Sequence, residues 1–401
     1  MRKALMGIAL LLGSGLSCVH AADLPKPGTS EIIGINLHTT DPTMAELKLI
    51  DEGGWKLVRV DLNWPRVETV KGEYNFAYGG KWPIDVIYEN WHKKLGNRLL
   101  FLICDVGPNV HGAPFSPEWQ DGFVKFAAET VAHYKGSNSM YELLNESFGG
   151  PITDKYPATL YVDLARRAAK AMREVDPTVK IIGPAVGPTP EFAADYLKEW
   201  FKLGLLDIVD AVSVHPYTWQ GPPEKMVQIY ANVRYWMQRY GGKVVPLMSS
   251  ENGWYTVPAT NGVSLKTQAD YLVRYQLINL SQNICGSIEY EFRNGNSERT
   301  NPETNYGVMN TPLEPTIKDA KPAYLAMQKM TQAIKGKTYS ERLITASNED
   351  WLLVFTGPDG EQILAAWTAA KLAHTLEVDG WGSINLTGTP IYVEKPKADG
   401  K

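Results

Sequence analysis

Apolar, β-branched runs alternate along this chain with stretches whose apolar residues recur at helical spacing. Eight runs stand out, at 32–37, 57–62, 99–104, 140–145, 179–184, 208–215, 244–250 and 287–292. Each is short and almost continuously hydrophobic. That is the pattern of a strand buried on both faces, as in a parallel sheet. The punctuation between the runs is helical. Asp41-Pro42 predicts an N-cap followed by proline at the first helical position, and Gly53-Gly54 the stop. Leu160, Leu164, Ala168, Met172 and Val175 make one apolar stripe, ended by Asp176-Pro177. Residues 226–240, 265–283 and 320–334 read as further helices. Eight strand–helix pairs in roughly three hundred residues predict an α/β fold, a (β/α)8 barrel. A doubly wound open sheet is the alternative, but it would commonly carry a glycine-rich phosphate turn after its first strand, where this chain has Asn36-Leu37-His38.

Beyond about residue 336 the pattern changes. Residues 339–345, 351–356, 363–368, 374–378 and 391–393 are short strand-like runs with turn signals such as Pro358-Asp359-Gly360 between them, and no helix is evident. They predict a small antiparallel, sandwich-like β-domain over 336–401, packed on a barrel of residues 22–335, with help from the segment before residue 31. The first 21 residues read as a signal peptide: Arg2 and Lys3, a short apolar run, then Val19-His20-Ala21 at the cleavage point. The run is too short to span a bilayer. The expected location is therefore secreted or periplasmic. Gly15-Leu16-Ser17 is a poor context for lipidation of Cys18. Cleavage leaves Cys104 and Cys285, expected on non-neighbouring strands and hence as two buried thiols rather than a disulfide.

The formal charge of −4 provides no footprint for nucleic acid, and no Cys/His spacing fits zinc. No cofactor or metal is expected, and a monomer is. Twelve Trp and twenty Tyr can fill a core or supply flat surfaces for sugar rings. In a (β/α)8 barrel the active site lies at the C-terminal strand ends. The predicted ends offer His38; Arg59 and Asn63; Asp105, with His111 beyond it; Asn145 and Glu146; His215 and Tyr217; Glu251 and Trp254; and Glu291, Arg293 and Asn294. Glu146 and Glu251 each close a strand-like run, and a carboxylate pair is the equipment for breaking a glycosidic bond. Each residue also has a plainer reading. Arg59 could be a structural ion pair, His215 a core histidine, and one of Glu289 and Glu291 a group bonded inside the barrel. Trp82 and Trp91 read as packing residues of a helix.

Five stretches carry a resemblance to a known group. They are Leu57-Val58-Arg59-Val60-Asp61-Leu62-Asn63-Trp64 with Gly72-Glu73-Tyr74; Tyr141-Glu142-Leu143-Leu144-Asn145-Glu146; Val214-His215-Pro216-Tyr217; Ser249 through Trp254; and Tyr290 through Asn294 with Glu303-Thr304-Asn305-Tyr306-Gly307 and Lys321-Pro322-Ala323-Tyr324. Over residues 31–330 the chain resembles the retaining glycoside hydrolases of clan A, and within them family 39 and its endoglycosidase-like relatives. Leu144 and Ser147 stand where that family usually has Trp and Pro. Glu251-Asn252-Gly253 is similar instead to the seventh strand of family 1 β-glucosidases. The resemblance implies a retaining β-glycosidase acting on a polysaccharide or oligosaccharide; the leader, and tryptophans spread over loops after several strands (Trp64, Trp119, Trp219, Trp254), predict an open cleft and endo action, inside the polymer or near its ends. Glu146 would be the acid/base, with a raised pKa, and Glu251 the nucleophile, held by Arg59 and Tyr217. Asn145 would hold the sugar 2-hydroxyl, and Trp254, with Trp219 or Trp119, would be a stacking platform. His38, His215 and Arg293 complete the expected substrate contacts. A non-catalytic carbohydrate-binding barrel and a transglycosylase remain the alternatives.

Overall fold

The computed structural model describes residues 23–396 except 39–41, 79–83, 105–109, 147–156, 188, 258–260, 296–297, 299 and 311–315. The predicted leader, Trp82 and Asp105 lie outside these residues.

Eight parallel strands close into a barrel in chain order: β1 Ile33–Asn36, β2 Leu57–Asn63, β3 Arg98–Cys104, β4 Met140–Leu143, β5 Lys180–Val186, β6 Ala211–Val214, β7 Leu247–Asn252 and β8 Ile284–Glu289. β8 returns to β1, with Ser287 opposite Ile33 and Glu289 opposite Ile35. The helices are α1 Met44–Glu52, α2 Trp64–Val67, α3 Ile84–Ile87, α4 Pro117–His133, α5 Ala158–Val175, α6 Ala194–Lys202, α7 Met226–Gly241, α8 Leu265–Ser281 and α9 Pro322–Ala333. Leu57, Leu100, Met140, Ile182, Ala211, Met248, Cys285 and Ile288 fill the barrel floor, with Leu24 packed against them. Two residues further along the same strands the filling turns polar, with Arg59, Glu142 and Ser213 all buried. An apolar plug beneath a polar layer sets the site at the strand C-termini.

Boundaries differ from the sequence reading where local chemistry decides them. α1 begins after Thr43, not Asp41: the Thr43 side chain accepts from the Glu46 N–H, and the Glu46 carboxylate accepts from the Thr43 N–H. This reciprocal cap satisfies two otherwise orphaned donors. β8 lies three residues earlier than expected. Its regular ladder ends at Glu289, yet the chain stays extended, with Tyr290 N–H donating to Asn252 and Phe292 N–H to Asn36. Ile288, Tyr290 and Phe292 alternate with Glu289 and Glu291 straight through that point, so periodicity alone does not mark where the ladder stops.

The C-terminal part has β9 Thr338–Arg342, β10 Asp350–Thr356, β11 Gln362–Thr368, β12 His374–Val378, β13 Gly382–Leu386 and β14 Ile391–Glu394. The order β14-β11-β10-β9 forms one antiparallel sheet, and β12–β13 a separate hairpin. The sequence reading missed β13. It is polar on one face and buries only Ile384 and Leu386 on the other. Strand alternation divides β10 and β11 cleanly. Trp351, Leu353, Phe355, Ile363, Ala365 and Trp367 share the barrel's own core. Leu352, Val354, Leu364 and Ala366 meet Trp381, Ile384 and Leu386 from the hairpin side. The segment before β1 helps as expected, since Tyr339 N–H donates to the Gly28 carbonyl at 2.8 Å. Cys104 and Cys285 are buried thiols. Among the described residues no helix is long and apolar enough to cross a membrane.

Candidate active site

Arg59 is the hub. Fully buried on β2, it donates through Nε to Glu142 Oε2 at 2.7 Å, through Nη1 to Glu251 Oε2 at 3.0 Å and through Nη2 to Asn145 Oδ1 at 2.7 Å. A guanidinium presents this fork of donors in a fixed plane, so one side chain ties the ends of β4 and β7 to β2. Burial alone would push the Glu142 carboxyl up, but the Arg59 charge and then His215 hold it below the usual range. The ion pair of the plainer reading is present, with Glu142 buried beneath Arg59, and the same guanidinium also reaches Glu251 at the mouth.

Glu146 leaves β4 through a turn with two left-handed residues, Leu144 at φ 62° and Glu146 itself at φ 44°. Its N–H donates to the Ala185 carbonyl of β5 at 3.1 Å, which turns the side chain over the barrel mouth. There its Oε1 lies 2.7 Å from His215 Nδ1. The carboxylate also rests on Gly187, where a Cβ would come within 1.6 Å of Oε1. On β7, Glu251 stands within the strand and takes a 2.8 Å hydrogen bond from the Tyr217 hydroxyl on Oε1. Glu146 keeps 34 % of its side chain exposed and Glu251 13 %, while His215 has none. The ligand atoms of Glu146, Glu251 and His215 all lie within 4.8 Å of one another. That spacing could bracket a cation, but the carboxylates already face two positive groups, Arg59 and His215.

The protonation differs from the sequence expectation. Burial raises the Glu146 carboxyl, but the hydrogen bond and charge of His215, with Arg59 further off, outweigh it and hold Glu146 below the usual range. Burial lowers His215, yet Glu251 and the Glu146 hydrogen bond carry it above its usual value. Both shifts act in the same direction, favouring the proton on the imidazole over the carboxyl within the Glu146–His215 pair.

A second network flanks Glu251 on the β1–β8 side. His38 Nε2 lies 2.6 Å from Asp61, and Nδ1 3.0 Å from the Tyr290 hydroxyl, which donates to Glu303 at 3.0 Å. Burial opposes the charge on His38, but Asp61 and then Glu291 and Glu251 raise its pKa to about 9. Burial pushes the Glu291 carboxyl up to about 8, with Glu303 and Glu251 adding to it against His38. Glu289 is fully buried, its two oxygens have no hydrogen-bond partner, and burial lifts its carboxyl well above the usual range.

Arg59, Asn145, Glu146, His215, Tyr217, Glu251 and His38 thus meet at one mouth. Two expected substrate contacts do not. Trp254 is fully buried, donates to the Gly221 carbonyl at 3.0 Å and packs on Tyr271 and Tyr275, so it has no face for a sugar. Arg293 is buried with its Nη1 3.5 Å from the buried Glu46 carboxylate of α1, behind the β8 loop. Trp64 and Trp119 pack together inside, and His111 stacks on Trp64 while its ring nitrogen meets Glu68 at 2.9 Å. Trp91 is buried, as its packing role requires. Sequence reasoning missed Asp61, Gly187, Tyr290 and Tyr306 as parts of the mouth. Tyr306 meets Tyr217 and Tyr290 edge-on. Asp61 was the most findable of them, two residues beyond Arg59 on the same strand face.

No protein-family model and no curated protein matches this sequence. Solved structures do match. A family 39 glycoside hydrolase from Bacteroides cellulosilyticus WH2 is 22 % identical, over 92 % of this chain and 81 % of that one, with a TM-score of 0.75. A monomeric β-xylosidase from Caulobacter crescentus CB15 is 17 % identical over 88 % and 80 %, at 0.58. An endo-β-1,6-glucanase is 12 % identical over 93 % of both chains, at 0.62. The chain has the fold of these barrel glycosidases, C-terminal β-domain included.

Proposed function

We propose that the protein is a retaining β-glycosidase, secreted or periplasmic, that hydrolyses polysaccharide or oligosaccharide by double displacement. The carrying observation is the carboxylate pair, Glu146 and Glu251, with an oxygen of each within 4.8 Å of the other across the strand ends. Retaining enzymes keep their two carboxyl groups about 5–5.5 Å apart, whereas inverting ones leave room for a water between them. Glu251, held in place by hydrogen bonds from Arg59 and Tyr217, attacks the anomeric carbon. The bond to the leaving oxygen breaks, and that oxygen takes the proton of the Glu146–His215 pair through Glu146. Glu146 then removes a proton from water, which attacks the same carbon and frees Glu251 from the ester. Storing the proton on His215 lets Glu146 work without a raised pKa of its own in the free enzyme; a substrate that displaces water from the mouth favours the neutral carboxyl. Asn145, fixed by Arg59, faces the 2-hydroxyl of the reacting sugar.

Two variants test the roles. Glu251→Ala should abolish turnover of every substrate. Glu146→Ala should cost about 10²–10⁴-fold on substrates whose leaving group needs a proton. It should cost much less on activated aryl glycosides, where added azide should give the β-glycosyl azide. Equal losses on both substrate types, with no azide product, would remove Glu146 from the acid/base role.

A further inference from the structure

We propose that Trp219 is the platform for the leaving-group side of the cleft, stacking on the apolar face of the first sugar ring beyond the scissile bond. This rests on the glycosidase reading above and extends it to a residue that decides which substrates bind.

Trp219 differs from the tryptophans that brace the fold. Trp55, Trp64, Trp91, Trp119, Trp200 and Trp254 are buried, whereas Trp219 is 70 % exposed. Its backbone is unusual as well. Trp219 and Gln220 are consecutive left-handed residues, at φ 50° and 65°. Side chains other than glycine rarely adopt that conformation, and two in succession need a turn that enforces it. The turn is closed on itself: Gly221 N–H donates to the Thr218 carbonyl at 2.9 Å, and the Thr218 hydroxyl donates to the Gly221 carbonyl at 2.7 Å. A Cβ at Gly221 would approach that Thr218 oxygen to 2.8 Å, so glycine is what lets the turn close.

The turn is also bolted to the site. The Gly221 carbonyl takes the indole N–H of Trp254, three residues beyond Glu251. At its other end Tyr217, two residues before Trp219, holds Glu251 itself. Trp254 is thus not a sugar platform but the brace under one. With the backbone under it fixed in this way, the exposed indole has only its two side-chain torsions to lose when a ring stacks on it.

The side follows from the proton donor. Glu146 must face the departing oxygen. It is bonded to Ala185 of β5 and His215 at the end of β6, and it rests on Gly187 in the loop after β5. The leaving group therefore lies over the β5–β6 loops, and Trp219 is in the loop leaving β6. Phe192, 64 % exposed on the loop leaving β5, supplies further apolar surface on that side.

The experiment pairs two substrates with one glycone and different leaving groups. The wild type selects the first from cello-, xylo-, laminari- and gentio-oligosaccharides. The second is the β-glycosyl fluoride of the same sugar, whose leaving group has no ring. Trp219→Ala should raise KM for the oligosaccharide about tenfold with kcat nearly unchanged. Turnover of the fluoride should not change, and Trp219→Phe should recover most of the loss. Unchanged oligosaccharide kinetics in Trp219→Ala would overturn the platform, as would equal losses on both substrates. A wild type inert on the whole panel would instead overturn the glycosidase reading, and the platform with it.

Discussion

A hydrogen atom in place of a methyl group at residue 187 lets Glu146 sit where it does. Gly187 follows β5 directly, and its missing Cβ is space filled by the Glu146 carboxylate. Its φ is not in the left-handed range, so alanine fits the backbone, and the three atoms nearest its Cβ all belong to Glu146. Gly187→Ala should therefore leave the melting temperature within a few degrees of wild type and lower kcat/KM by about 10²-fold, the scale expected when a reacting group moves by an ångström. Near-normal kcat/KM would mean that Glu146 works from another rotamer. At this scale the sequence is legible for polar groups and poorly legible for aromatics. Arg59, Asn145, Glu146, His215, Tyr217 and Glu251 can be read because a charge or amide at the end of an apolar strand has few reasons to be there other than the site. Trp254 reads the same whether it faces a cleft or braces a loop, since both fates need an indole with one polar edge. Arg293 was misread because its partner, Glu46, lies on α1, 247 positions away in the chain yet adjacent in space.

Among the elements, the segment leaving β8 is where the regular ladder gives way to the site. It delivers Tyr290 and Glu291 to the mouth and is tied to β7 and β1 by the Tyr290 and Phe292 N–H groups. The strand-like pattern from 284 made the strand legible but not its end, because an extended segment outside the ladder has the same period as one inside it. Glu291 carries the energetic consequence. Its folded-state pKa of about 8 lies above the ordinary value of 4.5. Between those values the folded state binds the proton and the unfolded state does not, so stability falls as pH rises from about 4.5 to about 8. Glu291→Gln keeps the shape without the ionisation. Melts from pH 5 to 8 should show a flatter profile for the variant. It should match wild type at pH 5 and exceed it at pH 8 by on the order of a few kcal/mol. Parallel profiles for the two proteins would show that Glu291 ionises in the folded state as it does in water.

For the whole molecule, the β-domain is a wall of the barrel rather than an appendage. Glu224, in the turn before α7, accepts from Arg274 of α8 through Nε at 2.7 Å and Nη2 at 2.5 Å, and from the Trp367 indole of β11 at 2.7 Å. Arg274 also reaches the Gly388 carbonyl at 3.4 Å, and Trp367 stacks on Trp351 within the core shared with the barrel helices. The sequence showed the change from helical to strand pattern near residue 336 but not this seam, because its members are separated by 50 to 143 positions. A domain that shares its core with its neighbour cannot unfold ahead of it without baring that core to water. Calorimetry of the intact chain should therefore show one cooperative transition. Trp367→Ala should lower the midpoint of that transition without splitting it, at a cost of about 3–5 kcal/mol. A chain truncated after residue 336 should expose the helix face that Trp351, Phe355 and Trp367 cover and aggregate rather than fold. Two resolved transitions in the intact chain, or a soluble truncated barrel with native-like near-UV dichroism, would show instead that the seam is an interface between independent domains.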